Sequence, residues 1–335
     1  MNIKRYGISV FALAAMATMA AGAMPAFGQT QLKLGHIQPP NDSIGIAADR
    51  FAELVNERTS GEVEVVVHPG GELGGSGQLA EGVRLGTVDM IITGTPFWSR
   101  FEPMLNVLDL PCMFDDYAHA HAVADSDVAV ELVERLEKHN VHGLTLYEIG
   151  YRNVTNSKQP VHGPDDLQGL KLRVSPNKAH TLAFQLLGAN PVSMSFTEVY
   201  LALQTGAIDG QENPVHIIAT GRLEEVQDHL SLTEHAYSNS ILAMNQRSFE
   251  RLTPEQQEIV LEAAHESAVL QRQLNAERQD GYLQQLKDAG MQVVEDVDQE
   301  AICAVIKEPV WADFVENNEG GQDYIDRIVA LAPKS

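Results

Sequence analysis

Positive charge is scarce in this chain. Twenty-three lysines and arginines stand against 46 aspartates and glutamates, a formal net charge of −23. So acidic a chain argues against nucleic acid and anionic membrane as partners. Cysteine is scarcer still, with only Cys112 and Cys303. An oxidising compartment would permit a bridge, but the two lie far apart in the sequence, and we expect two buried free thiols. His119-Ala-His121 therefore finds no cysteine or acid cluster of matching spacing, and we expect surface histidines and no metal. Long apolar runs are missing after the first residues, which excludes a membrane-spanning helix there. Catalytic signatures are missing too. Gly74-Gly-Ser76-Gly runs into Gln78 where a nucleophile elbow needs glycine, and His265-Glu266 meets Val269 where a zinc protease carries its second histidine. Gly75-Ser-Gly77-Gln-Leu-Ala80 has dinucleotide-fingerprint spacing, but the strand before it ends near His68. We read it as a loop at a cleft mouth, and expect no cofactor.

What is present begins with a leader. Lys4 and Arg5 precede an apolar run from Tyr6 to about Ala21, and small residues at Ala26 and Gly28 suggest cleavage before Gln29. Residues 1–28 are expected to be a signal peptide, placing a mature chain in the periplasm. The leader holds no acids, so removing Lys4 and Arg5 takes the charge from −23 to −25. An anionic ligand would need a locally basic site against that field. The remaining roughly 300 residues suffice for two domains.

Strand and helix signals alternate. Leu32–Ile37 reads as a strand, Ser43 to Arg58 as a helix with Ile46, Phe51, Leu54 and Val55 on one face, and Glu62–His68 as a valine-rich strand. A helix over Gln78–Leu85 and a strand over Val88–Thr93 follow, so a parallel sheet is expected. Leu85-Gly-Thr-Val-Asp89 and Thr205-Gly-Ala-Ile-Asp209 are parallel phrases, each a helix end feeding a strand. Thr253 and Pro254 open a helix whose spacing persists to about Asp288, through Val260, Ala264, Leu270, Leu274, Tyr282, Leu283 and Leu286. Gly281 is a candidate kink, and two more helices are expected between Gln299 and Ala332. A helix of such length can span two domains.

Between Gly150 and Pro214 lie Arg152, Arg173, Phe196 and Asn213, near strand ends and helix starts. Guanidinium forks match the two oxygens of a carboxylate, and an amide can satisfy a remaining lone pair.

At these residues the chain resembles the extracytoplasmic solute-binding proteins of tripartite ATP-independent periplasmic (TRAP) transporters, of the dicarboxylate- and sialic-acid-binding type. Gly169-Leu-Lys-Leu-Arg173 and the run Met194 to Pro214 carry the resemblance. It implies an α/β, periplasmic binding protein-like fold: two domains, 29–149 plus 239–278 and 150–238 plus 279–335, with hinge strands and a long helix spanning both. It implies that Arg173 pairs with a ligand carboxylate, that Arg152 adds a second cationic contact, and that Asn213 holds a carboxylate oxygen while Phe196 packs on the ligand body. Glu212 and His235 would orient the principal arginine. Ligand identity would fall to the first domain, with Ile37, Gln38, Trp98, His36 and Glu72 as candidates; Gly75 and Gly94, where sialic-acid binders carry acids, argue against sialic acid. The expectation is a monomeric, non-enzymatic subunit that delivers a small organic acid to membrane permease subunits. A sugar acid or related hydroxy acid is favoured, then a C4-dicarboxylate. The alternatives are an exported α/β hydrolase or lyase, and a binding module serving a sensor kinase.

Overall fold

The computed structural model describes residues 29–333, so the expected leader, 1–28, lies outside the described residues. The first lobe opens with β1 (Thr30–Gly35), α1 (Ser43–Arg58), β2 (Val63–His68), α2 (Ser76–Leu85) and β3 (Met90–Gly94). Leu32 and Leu34 point alternate β1 positions into the core and are fully buried. α1 starts where Asp42 accepts a hydrogen bond from the Ile44 N–H at 3.0 Å, satisfying one of the free donors of its first turn. Short α3 (Thr95–Trp98) and a 3-10 segment, Pro103–Asp109, lead to α4 (Tyr117–Ala124) and α5 (Asp127–Glu134). The His119-Ala-His121 pair sits on α4, and His119 is buried, donating Nε2–H to the Ile328 carbonyl at 2.8 Å. Both findings correct the surface-histidine reading: the segment is capped by Asp116 and packs its apolar face inward.

β4 (Val141–Tyr151) ends the first lobe, and β5 (Asn153–Asn156) begins the second one residue later. The second lobe continues through β6 (Lys171–Val174), α6 (Lys178–Leu186), β7 (Asn190–Ser193), α7 (Phe196–Gln204), β8 (Gly210–Asn213), α8 (Val215–Thr220) and β9 (His229–Ser231). β10 (Tyr237–Asn245) returns to the first sheet, followed by α9 (Gln246–Glu250), α10 (Pro254–Asp288), β11 (Gln292–Val294), α11 (Gln299–Asn317) and α12 (Gly321–Val329). The two sheets are ordered β2-β1-β3-β10-β4 and β11-β9-β5-β8-β6-β7.

β1 pairs with β2 and β3 in parallel, as the alternation of strand and helix predicts, but neither sheet is parallel throughout. β10 runs antiparallel to β3 and β4, and β5 antiparallel to β8 and β9. The cause is topological. A strand arriving from the other lobe enters its sheet from the hinge side, against the direction of strands that began at the far end. Where β4 leaves for the hinge, Gly150 has φ +103, a region open to glycine and costly for side-chain-bearing residues. The neighbouring β4–β10 register slips between Ser238 and Asn239, and such a bulge bends a strand.

α10 runs unbroken through Gly281 for 35 residues, about 52 Å at 1.5 Å per residue. Thr253 accepts from the Gln256 N–H at 3.2 Å while Gln256 accepts from the Thr253 N–H at 3.1 Å, a reciprocal cap. The helix packs on α1 and β4 of one lobe and on α8 of the other. Its buried face is apolar at Val260, Ala263 and Ala264, then turns polar at Ser267, Gln271 and Asn275 as it crosses the hinge. Cys112 and Cys303 form a disulfide, not the two free thiols expected. The loop after the 3-10 segment meets α11, closing a separation of 191 residues to a Cα–Cα distance of 6.0 Å.

Candidate functional site

Arg152 is the single residue between β4 and β5, so it sits where the chain passes between sheets. Its backbone N–H donates to the Ala236 carbonyl at 2.8 Å, tying one crossover to another. Its guanidinium is already engaged. Nε donates to Glu212 Oε2, and Nη2 donates to Glu212 Oε1 at 2.9 Å, to the Glu212 carbonyl at 2.7 Å and to Asn213 Oδ1 at 3.2 Å. Both partners are buried. Burial alone would raise Glu212, but Arg152, with His235 3.5 Å away, overrides it and holds the carboxyl well below the ordinary range. Thr233 Oγ1 fixes the His235 ring at Nδ1, 2.8 Å away.

Arg173 is in the opposite condition. It is central in β6 and 1% exposed, yet no carboxylate among the described residues lies within salt-bridge distance. Nε and Nη2 both donate to the Met194 carbonyl, at 3.1 and 2.9 Å. Burial lowers its pKa to about 10, which leaves it charged at neutral pH. The Phe196 ring centre is 6.0 Å from its guanidinium carbon, the outer limit of a cation–π contact. Glu212 therefore orients Arg152 and not Arg173, a correction to the sequence reading. The physical reason is register: Val154 is opposite Glu212 in the antiparallel β5–β8 ladder, and Arg152, two residues before Val154, shares that face and reaches Glu212 diagonally.

Asn213 ends β8. With its carbonyl held by Arg152 and one amide hydrogen donated to Gln211 Oε1, it keeps one N–H to give. Arg152, Arg173, Phe196 and Asn213 all line one cavity of about 530 Å³, part of it open to solvent. Ile37 and Gln38, after β1, face them. The other first-lobe candidates lie elsewhere. His36 is buried off the cavity wall, its ring nitrogens without a well-formed hydrogen bond, and burial lowers its pKa to about 4. Trp98 is fully buried in the core, one position after the wall residue Phe97. Glu72 is exposed and meets His68 at 3.2 Å.

Ser76, Thr93, Phe97, Ser175 and Ser240 also line the cavity and were not singled out from the sequence. Thr93 was within reach of sequence reasoning, since it ends a parallel strand, where open α/β sheets bind ligands. Its Oγ1 is buried and has no partner among the described residues. One wall thus carries a cation and an amide, the other an amide and hydroxyls amid apolar groups. At the mouth the glycine loop of the first lobe meets the start of α7: a Cβ built on Gly75 would lie 3.1 Å from Ser195 Oγ and 3.7 Å from Thr197 Oγ1.

Comparisons with known proteins fit this geometry. Residues 34–318 match the family described as bacterial extracellular solute-binding protein, family 7. The chain is 37% identical over 323 residues to the 2,3-diketo-L-gulonate-binding periplasmic protein YiaO of Escherichia coli, covering 96% of this chain and 97% of that one. It is 32% identical over 263 residues to the C4-dicarboxylate-binding periplasmic protein DctP of Rhodobacter capsulatus, covering 77% and 78%. A crystal structure of a TRAP periplasmic solute-binding protein from Polaromonas, bound to D-erythronate, superposes with a TM-score of 0.88 at 35% identity, covering 91% of this chain and all of that one. With two α/β lobes about an arginine-lined cleft, the chain belongs to family 7 of the bacterial extracellular solute-binding proteins, the periplasmic binding proteins of TRAP transporters.

Proposed function

We propose that this protein captures a small hydroxylated monocarboxylate, a sugar acid or related hydroxy acid, between its lobes and delivers it to the membrane permease of a TRAP transporter. One observation carries the reading: Arg173 is a buried guanidinium without a carboxylate partner, on the wall of a cavity whose opposite face offers hydroxyls. Arg152 lines the same cavity, but Glu212 cancels its charge. The site therefore presents one uncompensated cation, which suits one carboxylate better than two. That favours a sugar acid over a C4-dicarboxylate, and the likeness to a diketogulonate binder and an erythronate-bound structure supports it.

In this reading Arg173 grips the carboxylate, the free Asn213 N–H takes one of its oxygens, Phe196 packs on the carbon chain, and Gln38, Ser76, Thr93 and Ser240 meet hydroxyls. Glu212 and His235 hold Arg152. The lobes divide as 29–149 plus 239–278 and 150–238 plus 279–335. Sheet membership supports this, while α12 packs back on α5 and the 3-10 segment. Export through a cleaved leader completes the proposal. No turnover is required, because the ligand stabilises the closed form by the contacts it gains there.

A thermal-shift panel tests it. A ligand at about a hundred times its dissociation constant adds about 2.7 kcal/mol of stability. Erythronate, galacturonate, glucuronate and diketogulonate should include the largest shift, with succinate and malate well below. A dicarboxylate giving the largest shift would overturn the one-cation argument.

A further inference from the structure

A second cavity, also about 530 Å³ and partly open to solvent, lies at the hinge between α10 and the segments that pass from lobe to lobe. It shares Ile149 with the arginine-lined cleft but has neither arginine on its wall. Its lining carries three acids, Glu148, Glu234 and Asp280, one histidine, His216, and no lysine or arginine.

His216 is also on this wall, its buried Nε2 making no hydrogen bond among the described residues and lying 4.0 Å from Asp42 Oδ2, while both tyrosine hydroxyls direct their protons away from the cavity. The Tyr117 hydroxyl donates to Gln279 Oε1 at 2.9 Å, and the Tyr151 hydroxyl donates to the Phe114 carbonyl at 3.2 Å. What the two phenols can still offer is lone pairs and ring faces. Asn275, 7% exposed, donates Nδ2 to Glu148 Oε1 at 2.8 Å. That contact fixes the amide, because the flipped orientation would set carbonyl oxygen against carboxylate. Asn275 Oδ1 is left as a buried acceptor without a partner among the described residues. Glu148 also accepts from His121 at 2.6 Å and Tyr237 at 2.8 Å, so it is a fixed anion. Burial works against that charge, and the hydrogen bonds from His121 and Asn275 prevail, holding the carboxyl below its ordinary range.

An unpaired amide carbonyl, acidic side chains, two tyrosine rings and the apolar flank of Ile149 and Leu283 together complement an N–H-donating cation with a short apolar body. An alkali ion would prefer a cage of oxygens. We propose that this hinge cavity binds a small primary ammonium ion, with Asn275 Oδ1 accepting one N–H and Glu234 and Asp280 supplying the countercharge.

Calorimetric titration of the full chain with ethylammonium chloride, against sodium chloride at matched ionic strength, tests the site. Saturable binding of ethylammonium over sodium is expected. The double substitution Glu234→Gln, Asp280→Asn, at a half-buried and an exposed position, should weaken it by about tenfold or more. Arg173→Ala, which alters the other cleft, should leave it within about twofold. The proposal is overturned if no saturable heat appears up to about 100 mM, if sodium gives the same response, if the double variant binds as well as the parent, or if Arg173→Ala abolishes binding.

Discussion

Arg152 and Arg173 bring the same guanidinium to the same cavity and end in opposite electrostatic states. The difference lies in their partners: Glu212 is paired to one, a lone backbone carbonyl to the other. A buried ion pair is close to neutral in its surroundings, whereas an unpaired buried cation stands ready for an anion. His36 shows burial acting on a neutral side chain. Unfolded, a histidine gains a proton near pH 6.5; His36 in the fold does so only at about 4. Between those values the unfolded chain binds the extra proton. The contribution is fully present above about pH 6.5 and is lost as pH falls towards about 4. Because neither ring nitrogen makes a well-formed hydrogen bond, His36→Phe should fold and flatten that acid limb. Denaturant unfolding at about pH 5 should then favour the variant over the parent by roughly 2 kcal/mol, relative to the comparison at about pH 7.5. Equal pH slopes would show that His36 does not titrate with unfolding.

At the scale of elements, the glycine loop and the start of α7 are the two lips of the cleft. Gly75 has φ −74, so alanine is allowed there conformationally, and the added Cβ would crowd Ser195 only where the lips meet. Gly75→Ala should therefore weaken ligand binding by about threefold to thirtyfold, with the unliganded melting temperature little changed. Equal affinity in titration would mean that the lips do not meet in the bound form. The local elements were the legible part of this fold. α1 and α10 could be read to within a residue, the first from its apolar periodicity and the second also because Thr253 and Pro254 mark its start chemically. What local signals do not carry is pairing across long separations. The antiparallel return of β10, the Cys112–Cys303 bridge and the Arg152–Glu212 pair, 60 residues apart, depend on how strands cross the hinge. The site shows the same split. Arg173 and Asn213 stood out by chemistry and by resemblance, while Ser240 joins the wall only because β10 lies beside β3. Trp98 and Phe97 are one helical step apart, and nothing in the sequence says which of them faces the cleft.

For the whole molecule, the charge of −23 and the function pull against each other. An anionic ligand approaches a strongly acidic surface, and only inside the cleft does it meet Arg173. Screening lowers that repulsion within about a Debye length, so association should quicken as salt rises, opposite to the usual slowing of charge-steered binding. Stopped-flow rates between about 20 and 200 mM salt give the sign directly, and a rate that falls would mean that the cleft's local field dominates the approach. Ligand capture in this cleft rests on one uncompensated guanidinium, that of Arg173. Its most direct test is calorimetric titration of the preferred hydroxy acid, D-erythronate being the first choice, into the parent chain and into Arg173→Ala. Leaving a carboxylate unpaired in the cleft costs roughly 2–5 kcal/mol, so affinity should fall about thirtyfold to several thousandfold. Binding by the variant within a factor of about three of the parent would contradict the account.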